Sequence, residues 1–131
     1  MRRHIINQLV SEGLMGGLAP RVGERAGYKC EYCNKDMLAS TADYGFSWQH
    51  DHIIPLSAGG EDTFYNIALS CSVCTMLIKK GWNPVENAGE DPSREQLIEA
   101  VRQYVKDQKA DWDDNLSRVR EILGWVDPAE R

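Results

Sequence analysis

The chain has no cysteine outside two Cys-x-x-Cys pairs, Cys30/Cys33 and Cys71/Cys74. It also has no apolar run near the roughly 20 residues that a bilayer-spanning helix needs. With no thiol left over, paired spacing of this kind favours a metal site over disulfides in an intracellular protein. A transmembrane segment is excluded from the reading. An excess of base is missing too: the net charge is −5, whereas a nucleic-acid-binding domain usually advertises itself by a basic balance. The start, Met1-Arg2-Arg3-His4-Ile5-Ile6, is basic but lacks the apolar core and small-residue cleavage site of a signal peptide. The expectation is a soluble, cytoplasmic chain of one domain, since 131 residues lie near the usual domain size.

The acidity is not evenly spread. Residues 1–85 balance eight Lys/Arg against eight Asp/Glu, and residues 86–131 set twelve acids against seven bases. The acidic balance therefore belongs to the C-terminal part and leaves a DNA-contacting centre open. Three parts are expected: a helical flank at 1–24, a core at 25–85 and an acidic helical region at 86–131.

The two cysteine pairs predict one structural Zn²⁺ held by Cys30, Cys33, Cys71 and Cys74. A redox-active pair or surface thiols are the competing readings of a lone Cys-x-x-Cys, and two pairs with no remainder weigh against both. The 37 residues between the pairs are more than a simple zinc ribbon carries, so something is inserted in the loop that the metal closes. Two of the three histidines, His50 and His52, lie in that insertion.

Periodicity places a helix at 4–15, with Ile5, Ile6, Leu9 and Val10 on one face, and a second short helix at 21–26. Alternation over 46–54 predicts a strand with Phe46, Trp48, His50 and His52 on one side and Phe46 and Trp48 in the core. Pro55 closes it. Ile67-Ala68-Leu69 reads as the return strand and 71–80 as a helix. Ser93 with Gln96 forms a candidate capping box. Two apolar stripes follow, one of Leu97, Ile98, Val101, Tyr104 and Val105, the other of Leu116, Val119, Ile122, Leu123 and Val126. They predict a C-terminal helical hairpin, packed on the core or on a homodimer or protein partner.

A carboxylate beside an imidazole on the first strand, with a return strand and a helix, outlines a one-metal phosphodiesterase scaffold. The residues then carry a resemblance. Arg25-Ala-Gly-Tyr-Lys-Cys-Glu-Tyr-Cys33, Asp51-His-Ile-Ile-Pro-Leu-Ser-Ala-Gly-Gly60 and Asn66-Ile-Ala-Leu-Ser-Cys-Ser-Val-Cys74 together resemble the HNH endonucleases of the four-cysteine type. The likeness covers residues 25–81. It implies an α+β fold with a ββα-metal (His-Me finger) core that hydrolyses double-stranded DNA. It further implies His52 as general base, Asp51 as ligand to a catalytic Mg²⁺ or Mn²⁺, and Asn66 as the residue that holds the loop in register. Asp51 and His52 are adjacent, so both serve one site only if the strand end is twisted or bulged.

The departure from the family pattern is Thr75, where Asn or His usually supplies the second protein ligand to the ion. Three arrangements are consistent with it: Thr75 coordinates through its hydroxyl, His50 substitutes, or catalytic competence is lost. The last would make the chain a non-catalytic, zinc-stabilised nucleic-acid- or protein-binding module. Lys79 and Lys80 are candidate phosphate contacts. Two lysines at a helix C-terminus also complement its dipole.

Overall fold

The computed structural model describes residues 1–125 and 127–130. Two short helices, α1 (Arg3–Ser11) and α2 (Ala19–Ala26), precede the first Cys-x-x-Cys turn. Helix α1 ends earlier than the double glycine at 16–17 suggests, because Gly13 already takes a left-handed conformation (φ 71°). It buries no residue and is tied to α2 by Arg2, whose guanidinium lies 2.8 Å from the Glu24 carboxylate.

Strands β1 (Gln49–His52) and β2 (Ile67–Ser70) form a two-stranded antiparallel sheet. The register runs unbroken from Gln49 opposite Ser70 to His52 opposite Ile67. A wide helical turn, Val73–Lys79, begins within the second cysteine pair and carries Cys74. A mixed fold with this sheet, this turn and a four-cysteine cluster agrees with the expected α+β ββα-metal core. The strand is shorter at its front than alternation predicts. Phe46 belongs to a helical turn, Asp43–Ser47, and is 74% exposed, so it is surface and not core. Trp48 packs partly against the core instead.

The C-terminal part is a single helix, α3 (Arg94–Leu123), of 30 residues. This corrects the predicted C-terminal helical hairpin. Nothing between the two stripes breaks a helix: residues 106–115 contain no glycine or proline, and the second stripe continues the first along one face. The start is fixed as expected, for Ser93 Oγ accepts from Gln96 N at 3.2 Å and Gln96 Oε1 accepts from Ser93 N at 2.8 Å. The first half buries Leu97, Ile98, Val101 and Val105. The second half leaves Trp112, Leu116, Val119, Ile122 and Leu123 exposed; Val126 lies outside the described residues. Among the described residues no helix is long and apolar enough to cross a membrane.

The core gathers Val22, Met37, Ile53, Leu69, Ile98 and Val101 around β2, all four of whose residues are buried. Glu31 fastens the first cysteine turn to both neighbours. Its carboxylate accepts from Leu69 N at 2.7 Å and from Arg94 Nη2 at 2.9 Å, and its carbonyl accepts from Arg102 Nε at 2.8 Å. The first cysteine turn, the sheet and α3 thus meet at one acidic residue inside the Cys-x-x-Cys spacer.

Candidate functional site

At one end of the hairpin the four cysteines converge. Their Sγ atoms all lie within 4.8 Å of one another. The Cys33–Cys71 pair is separated by 3.7 Å, close to the edge of about 3.8 Å of a tetrahedron with Zn–S bonds near 2.3 Å. It is far from the bond length of about 2.05 Å of a disulfide. The local backbone makes this geometry. Cys30 N donates to Lys35 O at 2.8 Å, and Asn34, in a left-handed conformation (φ 67°), donates through its N–H to Cys30 O at 2.8 Å. The amide of Cys71 points at Cys30 Sγ (3.3 Å) and that of Cys74 at Cys71 Sγ (3.5 Å), as thiolates require. The crowding polarises the thiols: hydrogen bonds from Cys33, Cys71 and Cys74 push the Cys30 thiol down, and the Cys30 sulfur pushes those of Cys33 and Cys74 up. A cation resolves that conflict by letting all four ionise. The donor set fits Zn²⁺.

At the other end, His52 is held from outside the strand. Its Nε2 lies 2.8 Å from Asp62 Oδ1, in the loop after Gly59-Gly60. With Nε2–H directed at the carboxylate, Nδ1 is the basic nitrogen. Asp62 joins the candidate site through this contact alone, and no motif in the sequence sets it apart from its neighbour Glu61. The loop itself is fixed by Asn66, whose side chain donates to Ile54 O (2.9 Å) and Glu61 O (2.8 Å) and accepts from Ile54 N (2.9 Å). Gly60 lets the loop close, since a Cβ there would meet Ile54 O at 1.9 Å.

Asp51 and His52 do not share a face. The unbroken register leaves no bulge, and the two side chains diverge as in an ideal strand. Asp51 is turned inward, only 8% exposed. Its Oδ2 accepts from Tyr32 Oη at 2.6 Å and pairs with Lys79 Nζ at 3.0 Å. Burial, and then the Asp51 carboxylate, holds the Tyr32 phenol well above its ordinary pKa, so it stays the donor. Lys79 Nζ also donates to His52 O at 3.1 Å. Lys79 is 1% exposed, which corrects its expected role as a phosphate contact; Lys80, at the helix end, is exposed.

The residues expected around a catalytic divalent ion are committed elsewhere. Thr75 Oγ1 donates to Ser70 Oγ at 2.6 Å, on the zinc side. His50 Nε2 accepts from Trp48 Nε1 at 2.9 Å. Desolvation, and then the Arg25 guanidinium, lowers the His50 pKa, in keeping with a neutral ring. Among the described residues the four cysteines are the only group of three or more His, Cys, Asp or Glu ligands placed to hold a metal. With Lys79 paired to Asp51, an ammonium stands where Mg²⁺ or Mn²⁺ would need the charge of that carboxylate, and the strand end does not fit such an ion.

Between the strand end and the 73–79 turn lies an open groove of about 250 Å³, lined by His50, Asp51, His52, Pro55, Leu56, Lys79 and Gly81. It is a place where an extended polyanion can lie against an imidazole.

Residues 30–75 match the family model described as HNH endonuclease. The four-cysteine cluster spans the same segment and is consistent with the zinc-binding type of that family. No curated protein and no solved structure matches the chain.

Proposed function

We propose that the chain hydrolyses phosphodiester bonds of DNA, with His52 taking a proton from the attacking water. The observation that carries this reading is the imidazole at an open groove, with one nitrogen engaged by Asp62 at 2.8 Å and its supporting loop clamped by Asn66. An imidazole is the side chain most often used as a general base. Lys80, exposed and lying in the chain between the groove residues Lys79 and Gly81, is the candidate phosphate contact. Zn²⁺ at the four cysteines is structural in this reading, since all four positions are thiolates and none remains open for water. A catalytic Mg²⁺ or Mn²⁺, which the family resemblance implies, is left out of the step, because Asp51, Thr75 and His50 are otherwise engaged.

A second reading, a non-catalytic zinc-stabilised module that binds nucleic acid or protein, is favoured by one observation: the Lys79–Asp51 ion pair takes up the carboxylate that would hold the ion. Relaxation of supercoiled plasmid by zinc-loaded protein separates the two readings, run in Mg²⁺, Mn²⁺ and EDTA beside His52→Ala. Conversion lost in His52→Ala supports the nuclease. No conversion in any of the three buffers favours the module.

A further inference from the structure

We propose that Lys79 is the resident counter-ion of Asp51, its ammonium filling the cation position at this carboxylate. The free protein then has no divalent-ion site at the strand end. The inference concerns the groove of the proposed nuclease, but ion binding reads it and DNA cleavage does not.

The case begins with burial. Lys79 is the only buried lysine of six; the other five are exposed. Taking an ammonium out of water is tolerated only with a partner of opposite charge and with its protons satisfied. Lys79 has both, in Asp51 Oδ2 at 3.0 Å and His52 O at 3.1 Å. One oxygen of the carboxylate is doubly engaged, since Tyr32 Oη reaches the same Oδ2 at 2.6 Å. A three-residue unit from three elements results: the first cysteine turn, β1 and the 73–79 turn.

The backbone brings Lys79 there. The turn closes with a wide step, Lys80 N donating to Thr75 O at 3.1 Å. It then reverses through Lys80 and Gly81, both left-handed (φ 46° and 76°). Ile78 and Lys79 are consequently buried side by side, with the lysine's alkyl stem in the protein interior and its charge delivered to the strand. Thr75 and Lys79, expected on one face, diverge: one meets Ser70 and the other Asp51.

An ammonium 3.0 Å from Oδ2 repels a divalent ion from either oxygen of the same carboxylate. The ammonium is a compact point charge with no open coordination position. It neutralises Asp51 without offering an electrophile, and an ion enters only when Lys79 leaves.

The test uses zinc-loaded protein stripped of other divalent ions and titrated with Mn²⁺, the free ion being read by electron paramagnetic resonance. Wild type should show no site tighter than about 10⁻³ M, the weak end of oxygen-ligand sites. Lys79→Met should gain one site at least about tenfold tighter, and the double variant Asp51→Asn/Lys79→Met should lose it. A wild-type site of sub-millimolar affinity that vanishes in Asp51→Asn would overturn the proposal. So would a folded Lys79→Met that gains nothing. Because Lys79→Met strands a buried carboxylate and can fail to fold, a second measurement uses wild type alone. The ¹⁵N spectrum should contain one solvent-protected lysine ammonium that is unchanged by millimolar MgCl₂. Its absence, or its loss on adding Mg²⁺, counts against the proposal.

Discussion

The two ends of the β1–β2 hairpin were each expected to gather metal ligands, and only one does. At the Ser70 end, four sulfurs meet within 4.8 Å. At the His52 end, Asp51 turns inward to Lys79, His52 turns out to Asp62, and Thr75 turns back to Ser70. Local geometry accounts for the difference. Each Cys-x-x-Cys turn aims two sulfurs together through its own backbone hydrogen bonds, so only one long-range approach is required. The strand end needs a strand, a loop and a helix to agree, and alternation along β1 already separates adjacent residues.

The largest expected effect is on the converged end. Cys30→Ser, or chelation of the zinc, removes a cross-link between the first cysteine turn and β2. Zinc binding to such sites is itself folding free energy. A loss of at least about 3 kcal/mol is expected, seen as a fall of melting temperature of about 10 °C or more for a domain of this size. An unchanged melting curve would mean that the cluster does not hold the fold together. At the diverged end the expected effect is chemical. His52→Ala should lower nicking by about 10²–10⁴-fold, the usual contribution of a general base, with the melting temperature nearly unchanged because the ring faces the groove. Equal activity in the variant would remove His52 from the mechanism.

The same contrast explains what could be read from the chain. The cysteine cluster, Asn66 and the Ser93–Gln96 cap were legible because their geometry is set within a few residues or by one buried side chain. The fate of Asp51 was not, because it depends on where the 73–79 turn delivers Lys79, and lysine pairs at helix ends normally face water. Asp62 was hidden in a loop whose path Gly60 and Asn66 decide. Alternation extends β1 too far forward because it cannot tell an exposed Phe46 from a buried one. At the C-terminus two stripes separated by polar residues look like two helices, yet no breaker divides them, and only the first stripe finds a core to cover.

Asn66→Ala tests whether the diverged end is nevertheless a built structure. The amide makes three hydrogen bonds to the backbone around Ile54 and Glu61 and is 8% exposed. Its removal leaves buried polar groups unpaired at about 1–3 kcal/mol. Both stability and nicking should fall, since the loop that carries Asp62 is released. Denaturant unfolding together with plasmid relaxation reads the two losses separately. A fall in stability with full activity would show that the loop is not what orients His52.

The smallest expected effect belongs to Thr75, the one residue that could join the two ends. It follows Cys74 directly, yet its hydroxyl donates to Ser70 and not towards Asp51. Thr75→Asn exchanges one neutral hydrogen bond for another, and such bonds are worth about 1 kcal/mol net. The melting temperature should therefore move by only a few degrees. Nicking and Mn²⁺ binding should stay where they are, because an amide at 75 leaves Lys79 on Asp51. A gain in both would place position 75 at the strand end and make the divergence a matter of one missing ligand. With neither changed, the ammonium of Lys79, and not the short reach of a threonine, is what keeps the two ends of the hairpin different.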